Sequence, residues 1–343
     1  MDRYQPKGTR IPGSARGNVH QEALRHLERF LERRLRLEHA ANIFPLIHIG
    51  CYYVTFILLA VPGLVTSVGL QVLLWIGLLL LNFSLSIGIQ HMHAHRKLFT
   101  SQFANRGVEL LLCFPCVTSY PMMKYVHVYV HHKYQDGPGD PTSTRGSVRG
   151  ARAVLYWLTY SFVAQGATIR ALYSKNAAPI WRDLRIQHTV DNSTVILIGW
   201  ILIFADPIRM FWLYLLPMSL ILLNVGYFAW LTHGTALGKG AMGSLNTVNR
   251  WMNLFIHNQG YHYIHHRHPG VHWTKIPDYL DLMTEVDERL IVPYWVTLNS
   301  AWRILAPGHF HDGCYGRRWK LRYEAKERLH QCRIPWLHYF SWI

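Results

Sequence analysis

Long apolar stretches alternate with polar segments along the sequence. The longest uncharged stretch runs from His39 to His95, 57 residues without Asp, Glu, Lys or Arg. A helix needs about 20 apolar residues to cross the hydrocarbon core of a bilayer. Val61-Pro62-Gly63 interrupts the stretch, so the pattern predicts two membrane-spanning helices, at about residues 43–60 and 68–89.

A second apolar block covers residues 193–232, and Asp206-Pro207 and Arg209 interrupt it. This pattern predicts two more spanning helices, at residues 193–205 and 210–231. The first of them is short, because about 13 residues at ~1.5 Å each reach only about 20 Å, less than the ~30 Å hydrocarbon core. This arm therefore has to begin earlier, tilt the bilayer locally or be partly buried in protein.

Shorter apolar patterns occur in the polar segments. Residues 108–117 and 153–164 are too short to span a bilayer and predict interfacial or half-embedded helices. Residues 20–38 predict an amphipathic helix, which lies along the lipid headgroups or packs on the protein's own cytosolic part. Its apolar face consists of Leu24, Leu27, Phe30, Leu31 and Leu35.

These patterns together predict an all-α integral membrane fold. Four transmembrane helices form two hairpins, and the histidine groups described below lie at the span ends and in the polar segments; the cytosolic helical cap expected to carry them follows from the resemblance given below. The expected segments are an N-terminal basic amphipathic segment at residues 1–42, a first hairpin at 43–90, a cytosolic segment at 91–192, a second hairpin at 193–232 and a C-terminal cytosolic segment at 233–343.

Composition and charge agree with a membrane protein. Hydrophobic residues make up 50% of the chain and charged residues 16%, against ~25% charged residues in ordinary soluble domains. The net charge of +16 needs no nucleic acid partner, since Lys and Arg accumulate on the cytoplasmic side of membrane proteins. Nine Lys/Arg precede the first span, 12 lie between the hairpins and 13 follow the second, whereas the hairpin loops hold only Arg209. This asymmetry places both termini and the middle segment in the cytoplasm, with the spans in the inner (cytoplasmic) membrane if the protein is bacterial.

Histidine is the unusual component of this sequence, with 22 residues. Many of them are concentrated in three groups at helical spacing, far apart along the chain. The groups are His91 and His95 in HMHAH, His127, His131 and His132 in HVYVHH, and His262, His265 and His266 in HYIHH.

The spacing within the groups suggests that the imidazoles converge. Histidines at i and i+4 share one face of a helix about one turn apart, as His91 and His95 do, and likewise His127 and His131. His132 is rotated by ~100° from His131 and can reach a neighbouring site. The third group forms a single stripe. All three groups are predicted on the same side of the membrane, at span ends or between the hairpins.

Converging imidazoles are a metal-binding arrangement. Imidazole suits iron, zinc, copper and nickel, and no Glu lies within any group, so the site is predicted to be built from histidine alone or nearly so. Eight imidazoles exceed the roughly four ligands of a structural zinc site and can hold two metals. A metal transporter is the alternative from another class, but transporters place ionisable residues within their spans, whereas these groups lie at or beyond span ends.

The order HxxxH, HxxxHH and HxxHH around two apolar blocks resembles the membrane fatty-acid desaturase and hydroxylase superfamily. The sequence HHRHPGVHWTKIPDYL at the third group and Asp140-Pro141 after the second are also similar to that family. The resemblance covers about residues 43–285. It implies four transmembrane helices under a cytosolic cap, with a non-haem di-iron site that activates O2.

The resemblance also implies a ninth ligand. Members of the family often carry one more histidine after the fourth span, where His233 stands in WLTHGT. Some related desaturases have an Asn four residues before it, but Ala229 occupies that position, and Asn258 is a possible substitute. For His93, hydrogen bonding to a ligand and surface exposure stay open. The implied metal ligands are His91, His95, His127, His131, His132, His233, His262, His265 and His266.

The reaction implied by the family is an O2-dependent attack on an unactivated C–H bond of a fatty acid or fatty acyl chain. Desaturation is the expected outcome. Hydroxylation stays open because alkane hydroxylases carry HxxxHH at the second group. Oxidative decarboxylation of a free fatty acid to a terminal alkene also stays open, because small differences in geometry decide among these outcomes.

The electrons for this chemistry are expected to come from another protein. Gly238, Gly240 and Gly243 spell GxGxxG, but the motif follows a predicted span rather than a strand of a βαβ unit, so no nucleotide site is expected. The HPG at residues 268–270 resembles the haem motif of cytochrome b5 but lies within the third histidine group's tail. The expected partners are a lipid chain, membrane lipids and a donor of the ferredoxin, rubredoxin or cytochrome b5 type with its reductase.

Overall fold

The protein is largely helical, as the sequence predicts. The computed structural model describes residues 26–116, 118–147, 150–174, 177, 179–234, 244–293 and 314–329; the glycine motif at residues 238–243 lies outside these ranges. Within them, two short strands, Asn246–Thr247 and Ile291–Val292, pair in parallel, and a 3-10 helix covers Trp273–Glu285. The main helices are α1 (Ala40–Ala60), α2 (Val68–His95), α3 (Gln102–Cys116), α4 (Met123–His131), α5 (Gly150–Tyr173), α6 (Arg182–Ala205), α7 (Pro207–Gly234), α8 (Arg250–Phe255), α9 (His262–Arg267) and α10 (Cys314–Leu329).

Four helices in the described part of the chain, α1, α2, α6 and α7, are long and apolar enough to cross a membrane. The shortest, α1, has 21 residues and reaches about 31 Å at ~1.5 Å per residue. Ile57, Leu73 and Phe204 on these helices are exposed by 53%, 65% and 79%. Exposed apolar surface on this scale marks contact with a partner or a membrane. The prediction of four helices able to span a membrane is confirmed.

The helix α6 begins well before the apolar pattern that predicted it. It starts at Arg182 rather than at residue 193. The first half of this helix contains charged residues, so an apolar pattern does not reveal it. One of them, Asp183 in the first turn, interacts favourably with the positive end of the helix dipole. His188 and Asp191 in this half are buried. Of the explanations for the short predicted arm, the structure shows an earlier start, together with partial burial of that first half in protein.

The two patterns predicted as short interfacial helices belong to α3 and α5, which contain 15 and 24 residues. Both are longer than predicted, because polar residues belong to them as well. Asn105 and Glu109 of α3 are buried, so these two polar positions contact protein rather than water. In the N-terminal amphipathic pattern, residues 26–34 are helical, and residues 20–25 lie outside the described ranges.

Three segments widen into π-helical turns close to the histidines. They are Ser84–Gln90 within α2, the helix α4 and Trp230–Gly234 at the end of α7. A π-turn closes i→i+5 hydrogen bonds and changes which side chains share a face. Gly88 lets the α2 turn approach the chain beyond α8, since a Cβ there would lie 3.1 Å from the Ile256 backbone.

A cluster of buried apolar side chains joins three of the histidine-bearing segments. Leu85 and Ile89 of α2, Leu231 of α7 and Ile264 of α9 all have zero exposure and belong to one core. Burying an aliphatic side chain contributes about 1.5–3 kcal/mol relative to exposure in water. This packing therefore fixes the relative positions of segments that are far apart along the chain.

Candidate metal centre

Four regions of the chain direct histidines toward one another. They are the last turn of α2, the helix α4 with the residue after it, the end of α7 and the helix α9. Within each of two groups, one nitrogen of every imidazole lies within 4.8 Å of the others. The five-histidine group consists of His91, His95, His127, His132 and His265, and the four-histidine group consists of His131, His233, His262 and His266.

In the five-histidine group, His265 links two other imidazoles. Its Nε2 lies 3.0 Å from Nε2 of His91 and 3.0 Å from Nε2 of His132. Nε2 of His132 is in turn 3.1 Å from Nε2 of His127. The ring of His95 lies 4.7 Å from the ring of His265 between centroids. His95, His127 and His132 are only half-buried, so this group is the more accessible of the two.

In the four-histidine group, His233 links two other imidazoles. Its Nε2 lies 2.9 Å from Nε2 of His262 and 3.1 Å from Nε2 of His131. Nε2 of His266 is 3.1 Å from Nε2 of His262. The other three members of the group are buried, while His233 is half-buried. The histidine at the end of α7 thus lies where a ninth ligand is predicted.

The two groups are in contact. His132 of the five-histidine group stacks on His266 of the four-histidine group, with ring centroids 4.6 Å apart. Two pairs of sequence neighbours, His131 with His132 and His265 with His266, are divided between the groups. The arrangement offers two adjacent sites rather than one larger site.

The nitrogen distances fit ligands of a metal. Bonds from a metal to imidazole are about 2.0–2.1 Å long, so two ligands at a right angle have nitrogens about 3.0 Å apart. Nε2 of His265 meets two other Nε2 atoms at this distance, although a neutral imidazole has a single N–H to share. Nε2 of His95 is buried without a hydrogen-bond partner. An all-imidazole donor set of this kind suits iron, zinc, copper or nickel.

Four of the imidazoles outside the spanning helices are held in the neutral form. Burial, reinforced by neighbouring imidazoles, lowers the pKa of His127, His262 and His265 well below the ordinary 6.5. The same causes lower the pKa of His132 to about 2. Neutral imidazole keeps the lone pair that a metal requires.

The π-helical turn of α4 decides which of its histidines share a group. The i, i+4 spacing predicts that His127 pairs with His131. In the structure, His127 instead shares the five-histidine group with His132, and His131 belongs to the other group. The predicted pairing is corrected because a π-turn hydrogen-bonds i to i+5. The spacing HxxxHH thus places its first and last histidines on one face.

The stripe on α9 is divided as well. His262 and His266, at i and i+4, both belong to the four-histidine group, whereas His265 joins the five-histidine group. A short helix lying between two sites presents neighbouring side chains to each of them. The sequence spacing predicts one face for all three and does not distinguish the two destinations.

Asp140 orients the ring of His131. Its Oδ2 lies 2.8 Å from Nδ1 of His131, and its Oδ1 accepts hydrogen bonds from the backbone and hydroxyl of Thr142 at 2.9 and 2.7 Å. Burial alone would raise the pKa of Asp140, but these bonds outweigh it and hold the pKa below its ordinary value. With an ionised Asp140, the ring proton stays on Nδ1, and the Nε2 lone pair of His131 faces the four-histidine group.

A comparison with protein-family models matches residues 66–298 to the fatty acid desaturase family. The match covers 233 of the 343 residues and includes all nine histidines. The chain belongs to the fatty acid desaturase family. The resemblance to membrane desaturases and hydroxylases is thereby confirmed, and the protein is a desaturase-like fatty-acid oxidoreductase. No curated protein matches the chain.

Two residues left open by the sequence lie outside both histidine groups of this desaturase-family protein. Asn258 donates its Nδ2 hydrogen to the backbone carbonyl of Trp273 at 2.9 Å, so its amide supports the chain after α9. His93 is buried, which excludes surface exposure, and its Nε2 lies 3.4 Å from Oε1 of Glu109. Its side chain therefore contacts α3 rather than either histidine group.

The buried carboxylate of Glu109 is a feature that the sequence patterns above do not predict. Its Oε1 forms a salt bridge with Lys97 and its Oε2 accepts a hydrogen bond from Nε2 of Gln187 at 2.6 Å. Burial favours the neutral acid, but His93 and Lys97 outweigh it and hold the pKa of Glu109 below its ordinary value. These contacts join α2 and the residues after it to α3 and α6. A single acidic residue within the apolar pattern at residues 108–117 is the signal that could have identified it.

Glu109→Ala is expected to destabilise the protein, because it leaves Lys97 without its counter-charge and Gln187 without its hydrogen-bond acceptor. Breaking a fully buried ion pair costs about 3–5 kcal/mol. The Lys97 side chain is 37% exposed, so a smaller loss of about 1–3 kcal/mol is expected. Thermal unfolding in detergent measures it against Glu288→Ala, whose partner Arg317 is exposed and whose loss should cost less than about 1 kcal/mol. Equal Tm values for the two variants would speak against a stabilising role for Glu109.

Proposed function

We propose that this protein is an O2-dependent di-iron oxidoreductase of the membrane that attacks an unactivated C–H bond of a fatty acid or fatty acyl chain, with desaturation as its reaction. The observation that carries the proposal is the convergence of nine imidazoles into adjacent groups of five and four. Family membership supplies the substrate class. Imidazole is a suitable iron ligand, and two adjacent groups suit two ions.

In this proposal all nine histidines are iron ligands. The five-histidine group holds one ion and the four-histidine group holds the other. Asp140 keeps the lone pair of His131 directed at its ion, as carboxylates commonly do for metal-bound histidines. The unequal numbers of ligands place the two ions in different environments.

When bound, the iron pair supplies the reduction of O2 and the cleavage of C–H bonds. In a desaturation, the substrate loses two hydrogens and O2 is reduced to two waters, so an external donor supplies two electrons and the solvent two protons. The chain itself holds the ions, presents the acyl chain and excludes water. Fully buried residues such as Leu231 and Ile264 beside the ligands limit the access of water to the site.

Mass spectrometry of lipid products tests the proposal. The iron-loaded protein is supplied with a fatty acyl substrate, O2 and a reductant system, and an anaerobic sample is the control. Desaturation removes two hydrogens, hydroxylation adds one oxygen, and decarboxylation gives a terminal alkene one carbon shorter. An iron-loaded protein that forms no O2-dependent product from a panel of fatty acids and acyl esters would overturn the proposal.

Hydroxylation is the second candidate reaction. The spacing HxxxHH from His127 to His132 is that of alkane hydroxylases, and the π-turn brings these two histidines into one group. Decarboxylation shares the site and is the third outcome that the product assay distinguishes.

A metal transporter is the alternative from another class. A transporter carries its ionisable residues along a pathway within the spans. The histidine groups here lie where the spanning helices α2 and α7 end. The other members of the groups come from α4, the residue after it and α9, which lie outside the spanning helices. Metal flux into vesicles that contain the protein, without any O2-dependent lipid product, would favour the transporter.

We further propose that the spanning helices form two hairpins, with both termini and the segment between the hairpins in the cytoplasm, and in the inner membrane if the protein is bacterial. The asymmetry of Lys and Arg supports this orientation. Topology reporters at the C-terminus and near Arg149 are expected to read cytoplasmic, and one near Thr66 the opposite side. A reporter near Thr66 on the same side as the C-terminus would refute the hairpin topology.

The proposed electron donor is an acidic carrier of the ferredoxin, rubredoxin or cytochrome b5 type. The segments at residues 96–190 and 233–343 carry 12 and 13 Lys/Arg against 4 and 8 Asp/Glu, and complementary charge accelerates encounter. At limiting carrier, the reduction rate is expected to fall as salt rises from ~0.05 to ~0.5 M, because the Debye length shortens. At saturating carrier it should change little. A salt-independent rate at limiting carrier would instead assign these charges to membrane lipid alone.

A further inference from the structure

A pocket adjoins the five-histidine group where the end of α2 meets the chain around α9. His95 and His265 form part of its wall, so the pocket reaches the imidazoles themselves. Arg96, Gln259 and Val271 also line it. Val271 is half-buried and lies toward the outer rim. The pocket therefore connects the more accessible histidine group with the protein surface.

Gln259 lines this pocket and carries a buried acceptor without a partner. The residue is 2% exposed, and its Oε1 has no hydrogen-bond partner. A buried polar atom without a partner costs about 1–3 kcal/mol, and an ordered water or bound ligand is the usual explanation. A ligand that satisfies Oε1 has to donate a hydrogen bond.

The backbone immediately before Gln259 has an unusual conformation. The two preceding residues, His257 and Asn258, have φ of 55° and 62°, a left-handed conformation that is uncommon for residues other than glycine and that Asn and His adopt more readily than most. Asn258 secures the turn through its hydrogen bond to Trp273. Conformations of this kind persist only where the surrounding structure enforces them, and they concentrate at functional sites.

The charges around the pocket favour an uncharged ligand. The guanidinium of Arg96 is paired with Glu38, with Nε 2.8 Å from both carboxylate oxygens. His272 donates its Nε2 hydrogen to Oδ1 of Asn42 at 2.9 Å, and burial lowers its pKa to about 2, so it is neutral. The pocket thus offers a compensated cation and a hydrogen-bond acceptor rather than a site for an anion.

We propose that this pocket is the entrance through which small uncharged molecules reach the five-histidine group, with a water donating to Oε1 of Gln259 as the resting occupant and O2 as the molecule that displaces it. The inference rests on the proposed function. It goes further in naming the route and the residue that controls its occupancy.

Nitric oxide tests the entrance, because it is uncharged, of the size of O2 and visible by absorbance and EPR when it binds ferrous iron. The anaerobic ferrous protein is mixed with nitric oxide in a stopped-flow instrument, and iron content is measured for each variant. Val271→Trp, which fills the rim, is expected to slow association at least about tenfold, as a barrier raised by about 1.4 kcal/mol would. Association as fast as in the wild type would overturn the proposed entrance.

Gln259→Leu tests the resting water independently of access and of turnover. Without the acceptor no hydrogen-bonded water has to be displaced, so nitric oxide is expected to bind about two- to tenfold more tightly, the equivalent of one hydrogen bond. Gln102→Leu, at an exposed glutamine, is the matched control and should leave binding unchanged. An unchanged affinity in Gln259→Leu would remove Gln259 from the inference.

Two further outcomes separate this inference from the proposed function. A wild-type protein that binds no iron would overturn both, whereas normal iron content with unaltered nitric oxide binding in both variants would overturn the entrance alone. If Val271→Trp loses its iron, the nitric oxide affinity of Gln259→Leu decides whether the proposal stands. If a saturating acyl substrate slows nitric oxide in the wild type as much as Val271→Trp does, the pocket belongs to the substrate and the inference is wrong.

Discussion

His265→Ala is expected to abolish O2-dependent activity and to lower the iron content of the protein. The Nε2 of His265 lies 3.0 Å from those of both His91 and His132 and so links two other members of the five-histidine group. Losing it removes a ligand and leaves a cavity between two others. The loss of activity should exceed the ~10–100-fold that removal of an outer hydrogen-bond partner of a ligand typically costs. Iron analysis and the product assay together measure the effect.

His268→Ala is the matched control for this substitution. His268 lies three residues further along, is half-buried and belongs to neither histidine group. Most activity and the full iron content should remain. Both variants should stay in the membrane fraction, because apolar residues drive insertion of the spans. Full activity of His265→Ala, or of His131→Ala in the other group, would rule out the proposed di-iron site.

Asp140→Asn is expected to weaken iron binding and to lower kcat/KM by about 10–100-fold, the usual consequence of removing a carboxylate that orients a metal-bound histidine. The amide has nearly the same shape and can still accept hydrogen bonds from Thr142. It lacks the charge that keeps the proton on Nδ1 of His131, and it can present its NH2 group to that atom instead. Competition with a chelator measures the iron affinity.

Asp136→Asn separates orientation of the histidine from support of the turn. Asp136 accepts hydrogen bonds from the backbone and hydroxyl of Thr144, in the same turn after α4, and its side chain makes no contact with His131. Its substitution should alter iron affinity much less than Asp140→Asn does. If both variants lose iron affinity equally, Asp140 acts by folding the turn and not by orienting the imidazole.

The agreement between sequence and structure is closest where burial in lipid controls the pattern. The predicted helix at residues 43–60 coincides with the α-helix Ile43–Ala60, because every turn of a spanning helix has to be apolar. The prediction fails at the start of α6, because the charged residues Asp183 and Asp191 precede the apolar block. There the helix contacts protein, and an apolar pattern carries no information about such contacts.

The histidine spacing indicated the metal-binding chemistry more reliably than it indicated which histidines lie together. Eight histidines at helical spacing, with His233 added by the family resemblance, all lie in the two groups of the structure. Their assignment as ligands stays a prediction until metal is measured. Glu109 and Gln259 were not predicted. A lone acidic residue in an apolar pattern marks Glu109 as unusual but does not name its partners, and a single amide residue such as Gln259 gives no signal at all.

The sequence by itself determined the membrane class, the number of helices able to span and the identity of the histidines, because each depends on composition or on spacing within a few residues. Only the tertiary structure decided the pairing. It placed His127 with His132 through a π-turn, divided His265 from His266, and brought His233 against His262 across the chain. Those choices depend on the packing of α2, α7 and α9 against a common core and on the π-turn of α4, and contacts between distant segments leave no periodic trace in a sequence.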